Sequence, residues 1–342
     1  MKQKRIIFFS SDASDLYKAD IFRVLALPDG YTIQFRYERQ YVLEEFREKP
    51  EQLKSRQAVI FFLAGNDLSK LPAERKLRPY PIRSCKVKDA FLDKNTDKVI
   101  LILELSDFVN CVIDPVTDMD KLPPNVFVSE AEMTDFRSSN WIDRVKAVEE
   151  DFPDVLFYQI ANILRQSEVV VPSYSADRRA SFFELEEESD YSVECSCYDR
   201  TGGRSPLQIR YQSEDIDLSN PFESGPRARS DTRRLPLTTR TLKSRSAPAS
   251  FTFFSPTHKN DPGPFNDPNH VEIAWRLIRK WWKTWIFGSL TALAAIGLII
   301  IQTSIPNQSA TSPSLCEVLI KLVGVLLIAI AAAQLFKFFN KT

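Results

Sequence analysis

The chain has 342 residues with 45 Lys+Arg and 45 Asp+Glu, so its formal net charge at pH 7 is zero. This balance argues against a protein that binds nucleic acid through a wholly basic surface, and a total of nine glycines argues against glycine-rich nucleotide-binding loops. The charge is unevenly placed, because residues 273–342 hold seven cations and one acid, which leaves −6 on residues 1–272.

The N-terminal residues and the cysteines favour a reducing compartment. The first fifteen residues contain only four consecutive apolar residues. A signal peptide needs a longer apolar centre, so we expect the large N-terminal part to stay in the cytoplasm. The five cysteines are then expected to be free thiols: Cys85, Cys111, Cys195, Cys197 and Cys316. With two histidines in the chain, we expect neither a metal site nor a cofactor.

Residues 1–135 alternate short apolar runs with turn residues. Residues 22–42 suggest a hairpin around Pro28-Asp29-Gly30, a tripeptide suited to a tight turn. Residues 58–65 suggest a buried strand, and residues 80–109 suggest a second hairpin. This pattern predicts a barrel-like antiparallel β domain with short helices.

One strip in this domain combines aromatic and basic residues, and it runs Phe35, Arg36, Tyr37, Arg39, Tyr41. In a strand, Arg36 points opposite Phe35 and Tyr37. We interpret the strip as core aromatics beside solvated arginines rather than as a ligand groove.

Residues 136–167 have apolar positions spaced near 3.6, which predicts two helices divided at Pro153 and closing or bridging the domains. Trp141, Val145 and Val148 form the first stripe. The second stripe comprises Leu156, Ile160, Ile163 and Leu164.

Strand-like runs return in residues 168–257, with turn residues about every ten positions, and predict a small β-sandwich. Residues 258–270 contain three prolines and predict a linker. Asp267-Pro268 suits the start of a helix, so residues from 271 onward are predicted to form a juxtamembrane helix.

Two apolar segments near the C-terminus, about 284–304 and 317–337, each approach the 20 or so residues that a helix needs to cross a bilayer. A short polar segment joins them. The expected fold class is therefore a mostly β, α+β part with a barrel-like domain and a sandwich, followed by a two-helix transmembrane hairpin.

Cations and tryptophans precede the first segment and lysines follow the second, as is typical of the cytoplasmic membrane interface. The predicted interface anchors are Arg276, Arg279, Lys280, Trp281, Trp282, Lys283, Trp285, Lys337 and Lys341. The joining segment has no Lys or Arg. We therefore expect an integral membrane protein, of the bacterial inner (plasma) membrane, with both termini in the cytoplasm.

Lys321 is the one cation among residues 318–336, the apolar run of the second segment. Its ammonium group can reach the interface beside Glu317, four residues earlier, by snorkelling. The alternative is a functional position lining a pore between several copies. Both hypotheses stay open at this stage.

A basic stretch precedes the linker, with Asp231 as its one acid between Ser224 and Ser246. Its cations are Arg227, Arg229, Arg233, Arg234, Arg240, Lys243 and Arg245. They suit a phosphate group or a lipid headgroup, or they make a long loop soluble. A nucleotide or nucleic acid is a weaker fit, because no aromatic residue lies among the arginines for base stacking.

No established catalytic motif such as GxSxG, HExxH or a P-loop occurs in the chain. The leading hypothesis is a non-enzymatic, membrane-anchored binding or adaptor protein that displays two β-rich domains at the inner surface. The expected partners are the lipid bilayer and a protein, or a second copy of the chain. The alternative is a regulated pore-forming effector, such as a prokaryotic defence protein triggered by ligand binding or oligomerisation. An unrecognised hydrolase is the third hypothesis.

Overall fold

A computed structural model of the chain describes residues 3–65, 77–113, 126–152, 155–200, 206–211, 215–219, 228–242, 249–255 and 270–280. These residues are mainly in strands. The helices are α1 Asp15–Ala26, α2 Glu44–Arg47 and α3 Trp141–Val148. The strands are β1 Gln3–Ser11, β2 Thr32–Glu38, β3 Gln57–Ala64, β4 Arg78–Asp93, β5 Lys98–Ile113, β6 Val128–Ser138, β7 Leu156–Arg165, β8 Glu168–Val169, β9 Ser173–Ser175, β10 Ala180–Glu186, β11 Asp190–Asp199, β12 Gln208–Tyr211, β13 Ile216–Leu218, β14 Ser230–Thr239, β15 Ala249–Phe254 and β16 Val271–Ile278.

Strands β1, β3, β4, β5 and β6 form a closed ring of hydrogen-bonded neighbours, with β2 paired on the outside of β5. Closure is possible because β5 has 16 residues: residues 98–104 pair with β2 and residues 109–113 with β6. The barrel-like prediction is therefore confirmed, with one difference. The β1–β3 pair is parallel, which needs a long crossover, and α1 and β2 lie in that crossover.

One apolar cluster fills the ring and draws alternate residues from four of its strands. Its buried members are Ile7, Phe9, Val59, Phe61, Leu63, Val109, Cys111, Ile113, Ala131 and Met133. Alternate strand residues point to the same face, which is why β1 contributes Ile7 and Phe9 while Ile6 and Phe8 are buried on the other face.

The predicted hairpin of residues 22–42 is wrong in its first arm, which is helix α1. Ser14 caps α1 and accepts from the Tyr17 backbone N–H at 3.4 Å. The buried residues of α1 include Ile21, Phe22 and Leu25, a 3–4-residue spacing typical of a helix. The tight turn is present, and Gly30 has the positive φ of +76° that glycine adopts freely. It joins a helix to strand β2.

The predicted helical pair of residues 136–167 is half correct. Helix α3 buries Trp141, Val145 and Val148 as expected. The second helix is wrong, because residues 156–165 form strand β7. A β-bulge opposite Glu194 and Cys195 adds one residue to β7, and burial on both faces removes strict alternation, so the apolar spacing resembles that of a helix.

The remaining strands form two five-stranded sheets, ordered β12-β15-β16-β10-β9 and β13-β14-β11-β7-β8. Tyr158 of β7 donates from its hydroxyl to the carbonyl oxygen of Phe253 in β15 at 2.7 Å, which joins the two sheets. The sandwich therefore begins at β7 and includes β16, so it extends beyond the predicted limits 168–257 at both ends.

The juxtamembrane helix predicted from residue 271 is also wrong, because residues 271–278 form strand β16. Val271, Ile273, Trp275 and Leu277 are buried and their neighbours are more exposed, which is the period of two of a half-buried strand. The predicted linker, apart from residue 270, and both predicted membrane segments lie outside the described residues. Among the residues that are described, no helix is long and apolar enough to span a bilayer.

Candidate functional site

A pocket with a volume of about 180 Å³ opens beside the barrel, between the end of β1, the first turns of α1 and the end of β2. Its lining combines aromatic, hydroxyl and charged side chains. The lining residues are Phe9, Ser10, Ser11, Leu16, Tyr17, Asp20, Phe35, Arg36, Tyr37, Glu38, Tyr41, Lys98 and Phe127.

Six of these residues are aromatic, and two contacts set their arrangement. The rings of Tyr41 and Phe127 meet edge to face, with centroids 5.3 Å apart. The rings of Phe35 and Tyr37 meet in the same way at 6.1 Å. Such pairs fix ring orientation more firmly than area burial alone, so the pocket has stiff aromatic walls.

Backbone contacts hold the elements around the pocket in place. The hydroxyl of Ser10 donates to the carbonyl oxygen of Tyr17 at 2.7 Å, which ties the first turn of α1 to β1. The buried hydroxyl of Tyr37 donates to the carbonyl oxygen of Phe9 at 3.0 Å, which ties β2 to β1. The cavity is therefore built from the barrel framework.

Four charged residues line the pocket, and they differ in their ion-pair and hydrogen-bond partners. Asp20 pairs with Arg23 at 3.2 Å, and Glu38 accepts from the side-chain amide of Gln40 at 2.8 Å. Neither Arg36 nor Lys98 makes an ion pair with any residue that the structure describes, but the Arg36 guanidinium donates to the side-chain carbonyl oxygen of Gln34, at 2.7 Å from Nε and 3.1 Å from a terminal nitrogen. Asp20 thus has a charged partner, whereas Glu38 and Arg36 each have a neutral amide partner.

Burial raises the pKa of the Asp20 carboxyl to about 6, and the nearby Arg23 guanidinium opposes part of this effect. Burial also raises the pKa of the Tyr17 phenol, with a further contribution from Tyr41. Asp20 therefore changes charge near neutral pH inside the pocket, as perturbed groups in functional clefts often do.

A concave, largely apolar cavity with a few convergent polar groups is the usual form of a small-molecule binding site. The lining offers ring faces for stacking, two cations for an anion, and a carboxyl group that can accept or donate a hydrogen bond. No histidine or cysteine is among the lining residues.

The aromatic–basic strip lies at this pocket. Phe35 and Tyr37 are 2% and 8% exposed, so they are core residues as interpreted from the sequence. Both residues nevertheless line the cavity together with Arg36 and Tyr41. Sequence reasoning missed Tyr17, Asp20 and Lys98, because only the fold brings them to the strip.

The basic stretch before the linker is not gathered into one cluster where the structure describes it. Arg233 pairs with Asp231 at 2.6 Å, and Arg234 pairs with Glu194 at 2.9 Å. Consecutive residues of β14 lie on opposite faces, so these two guanidinium groups point apart. Arg229 and Arg240 are exposed. Arg227, Lys243 and Arg245 lie outside the described residues, and the phosphate or lipid assignment stays a prediction.

The chain divides into two compact units, and the smaller one comprises Leu185–Ser189, Thr239–Pro248 and Arg276–Thr342. Within it, Glu187 is 2% exposed and accepts from the Leu242 backbone N–H at 2.9 Å, so its carboxylate is buried and hydrogen-bonded. The Lys280 ammonium donates to the Glu188 carbonyl oxygen at 2.5 Å. This bond holds Lys280 against the turn that follows β10.

Among the predicted interface anchors, Arg276, Arg279 and Lys280 are described and half-buried. The other anchors and the intramembrane lysine lie outside the described residues, and they are Trp281, Trp282, Lys283, Trp285, Lys337, Lys341 and Lys321. Their membrane roles stay predictions.

Comparison with known proteins gives little. No family model matches the chain, and no curated protein matches it. Among solved structures, the crystal structure of the S-layer protein SbsC domains 4 and 5 is similar over 56% of this chain and 90% of that chain, at 9% identity and a TM-score of 0.19. With a TM-score this low, the likeness supports no statement about function.

Proposed function

We propose that the protein is a membrane-anchored, non-enzymatic binding protein that recognises a small ligand in the barrel pocket. The observation that carries this proposal is the open cavity with stiff aromatic walls beside the cations Arg36 and Lys98. Protein interiors normally fill such space, so a cavity with convergent polar groups favours recognition.

The anchor rests on the two apolar segments, about 284–304 and 317–337, and on their cationic flanks. Residues 278–280 are held by hydrogen bonds from the Glu187 backbone N–H to the Ile278 carbonyl and from Lys280 to Glu188. Four peptide units from Lys280 to Thr284 span at most about 14 Å. In this proposal Lys280 therefore lies near the inner surface of the bilayer, with both termini in the cytoplasm.

Anchoring changes what a weak binding site can achieve. A pocket confined to the membrane surface meets membrane-bound partners at a high effective concentration. Ligand binding in the barrel would then be passed to a protein partner, or to a second copy of the chain, at that surface.

The test is to purify the full chain from membranes in mild detergent and to identify bound small molecules by mass spectrometry. Tyr41→Leu removes one aromatic wall, and Lys94→Gln is a matched change on an exposed residue outside the pocket. We expect a compound that co-purifies with the native chain and with Lys94→Gln but is lost with Tyr41→Leu. A chain that carbonate washes from the membrane, or that holds no pocket-dependent compound, contradicts the proposal.

The regulated pore-forming effector is the second candidate, and strand β16 favours it. The predicted linker, residues 258–270, precedes β16, and only three residues lie between Lys280 and the predicted span at Thr284. Such a short connection suits a signal passed from the folded part to the membrane. Dye leakage from liposomes that depends on Lys321 or Gly288 would favour the effector over a passive anchor.

A further inference from the structure

We propose that the barrel pocket takes a mononucleotide, with the base between the aromatic walls and the phosphate at Arg36 and Lys98. This inference rests on the binding function proposed above and names the ligand class of the same site. It follows from the size of the cavity, the placement of charge and the hydrogen-bonding groups left in the wall.

The size of the cavity suits one planar ring system. A dry cavity of about 150 Å³ accepts benzene, and this pocket has about 180 Å³. Leu16, which lines the pocket, is 66% exposed, so the pocket is open to solvent there and leaves room for the sugar outside the cavity. Every base has a π-face, and stacking on an aromatic side chain contributes about 1–3 kcal/mol.

The charge placement favours an anionic ligand over a cationic one. Here Asp20 is paired with Arg23, whereas Arg36 and Lys98 make no ion pair within the described part of the chain. Glu38 and Arg36 each contact a neutral amide, that of Gln40 and that of Gln34. Guanidinium and ammonium groups form strong charge-assisted hydrogen bonds with phosphate oxygens.

Asp20 supplies a contact that selects a base from other flat rings. Its pairing distance to Arg23, 3.2 Å, is long for a charge-assisted bond, so its carboxyl retains capacity to accept from a ring or amino N–H. The hydroxyl groups of Tyr17 and Tyr41 add donors and acceptors at the same wall. A base presents such N–H groups, and a plain aromatic hydrocarbon does not.

The experiment is calorimetric titration of the detergent-solubilised full chain with AMP, GMP, CMP and UMP. The matching nucleosides and inorganic phosphate test the two halves of the ligand separately. We expect at least one mononucleotide to bind, its nucleoside to bind tenfold or more weakly, and phosphate alone to bind not detectably. Absence of binding by all four mononucleotides overturns the inference.

The variants separate the two contacts. Arg36→Gln and Lys98→Gln should each weaken mononucleotide binding roughly tenfold and leave nucleoside binding unchanged. Tyr41→Leu should weaken both equally. Lys94→Gln, on the hairpin that precedes Lys98, is the matched control and should change nothing. Equal mononucleotide affinity in Arg36→Gln, Lys98→Gln and the native chain also overturns the inference.

Choline, titrated in parallel, distinguishes this inference from the broader proposal. Choline binding that is lost in Tyr41→Leu, without mononucleotide binding, overturns the nucleotide assignment and keeps a recognition pocket. If neither probe binds and no co-purifying compound depends on Tyr41, both the inference and the proposed function fail.

Discussion

The guanidinium of Arg83 donates to the carbonyl oxygen of Leu27, the C-terminal cap of α1, at 2.6 Å. The same fully buried group donates to the carbonyls of Val24 and Ser106 at 2.8 and 2.6 Å and pairs with Asp29. One side chain of β4 thus holds together the end of α1, the turn that follows it and strand β5. Burial lowers the pKa of Arg83, and Asp29 opposes this effect.

Arg83→Met should destabilise the fold by about 3–5 kcal/mol, because it leaves buried carbonyl oxygens without donors. Arg83→Lys should also be costly, because one ammonium cannot reproduce the planar fork. Asp29→Asn is the comparison, and since the Asp29 side chain is 62% exposed, its cost should stay near 1 kcal/mol or less. Thermal melts of the full chain measure all three, and equal losses for Arg83→Met and Asp29→Asn would contradict the assignment.

The raised pKa of Asp20 should make the free energy of unfolding fall as pH rises. Its folded pKa of about 6 lies above its ordinary value of 3.8, so the folded state binds the proton more tightly than the unfolded state does. Stability is then lost between about pH 4 and pH 6. Asp20→Asn should raise the free energy of unfolding at pH 7.5 by about 1–3 kcal/mol and have little effect near pH 3.5. Melting curves across pH test this, with the exposed Asp97→Asn as control.

Tyr158 should contribute to the joining of the two sandwich sheets. Tyr158→Phe removes the hydroxyl that donates to Phe253, and it should cost about 1–2 kcal/mol because a buried carbonyl loses a donor. Tyr17→Phe, at a position 37% exposed, should change stability by less than about 0.5 kcal/mol. Equal effects of the two changes in thermal melts would argue against the role given to Tyr158.

The barrel and the strand-rich second half could be predicted from the sequence, because turn residues and alternating apolar positions mark them directly. Strand β7 could not, since a bulge near Asn162 and burial on both faces mask the period of two. Strand β16 could have been predicted from the alternation of Val271, Ile273, Trp275 and Leu277. The apolar run beyond it and the Asp267-Pro268 pair favoured a helix instead.

The pocket was predictable only in part. Phe35, Arg36, Tyr37 and Tyr41 are close in the chain, so the sequence shows them as one aromatic–basic strip. Tyr17, Asp20 and Lys98 join them because α1 and the start of β5 return to the end of β2. Such contacts depend on strand pairing across many residues, and local periodicity does not encode which strands pair.

The reactivity of the cysteine thiols can be used to test the predicted membrane topology. Cys85, Cys111, Cys195 and Cys197 are buried, with exposures of 0–4%. Burial raises the pKa of the Cys111 thiol to about 12 and that of Cys85 higher still. Because the thiolate is the reactive form, these four residues should resist labelling in the folded protein. The predicted membrane hairpin puts Cys316 in the loop between the two spans, where its thiol should be open to reagent.

The most direct test of the membrane hairpin is therefore a membrane-impermeant maleimide added to intact spheroplasts that produce the full chain. The account predicts labelling from the outside before lysis, and loss of that labelling in Cys316→Ser. Labelling of Cys316 only after the spheroplasts are opened would place the loop in the cytoplasm and contradict the anchor on which the proposed function depends.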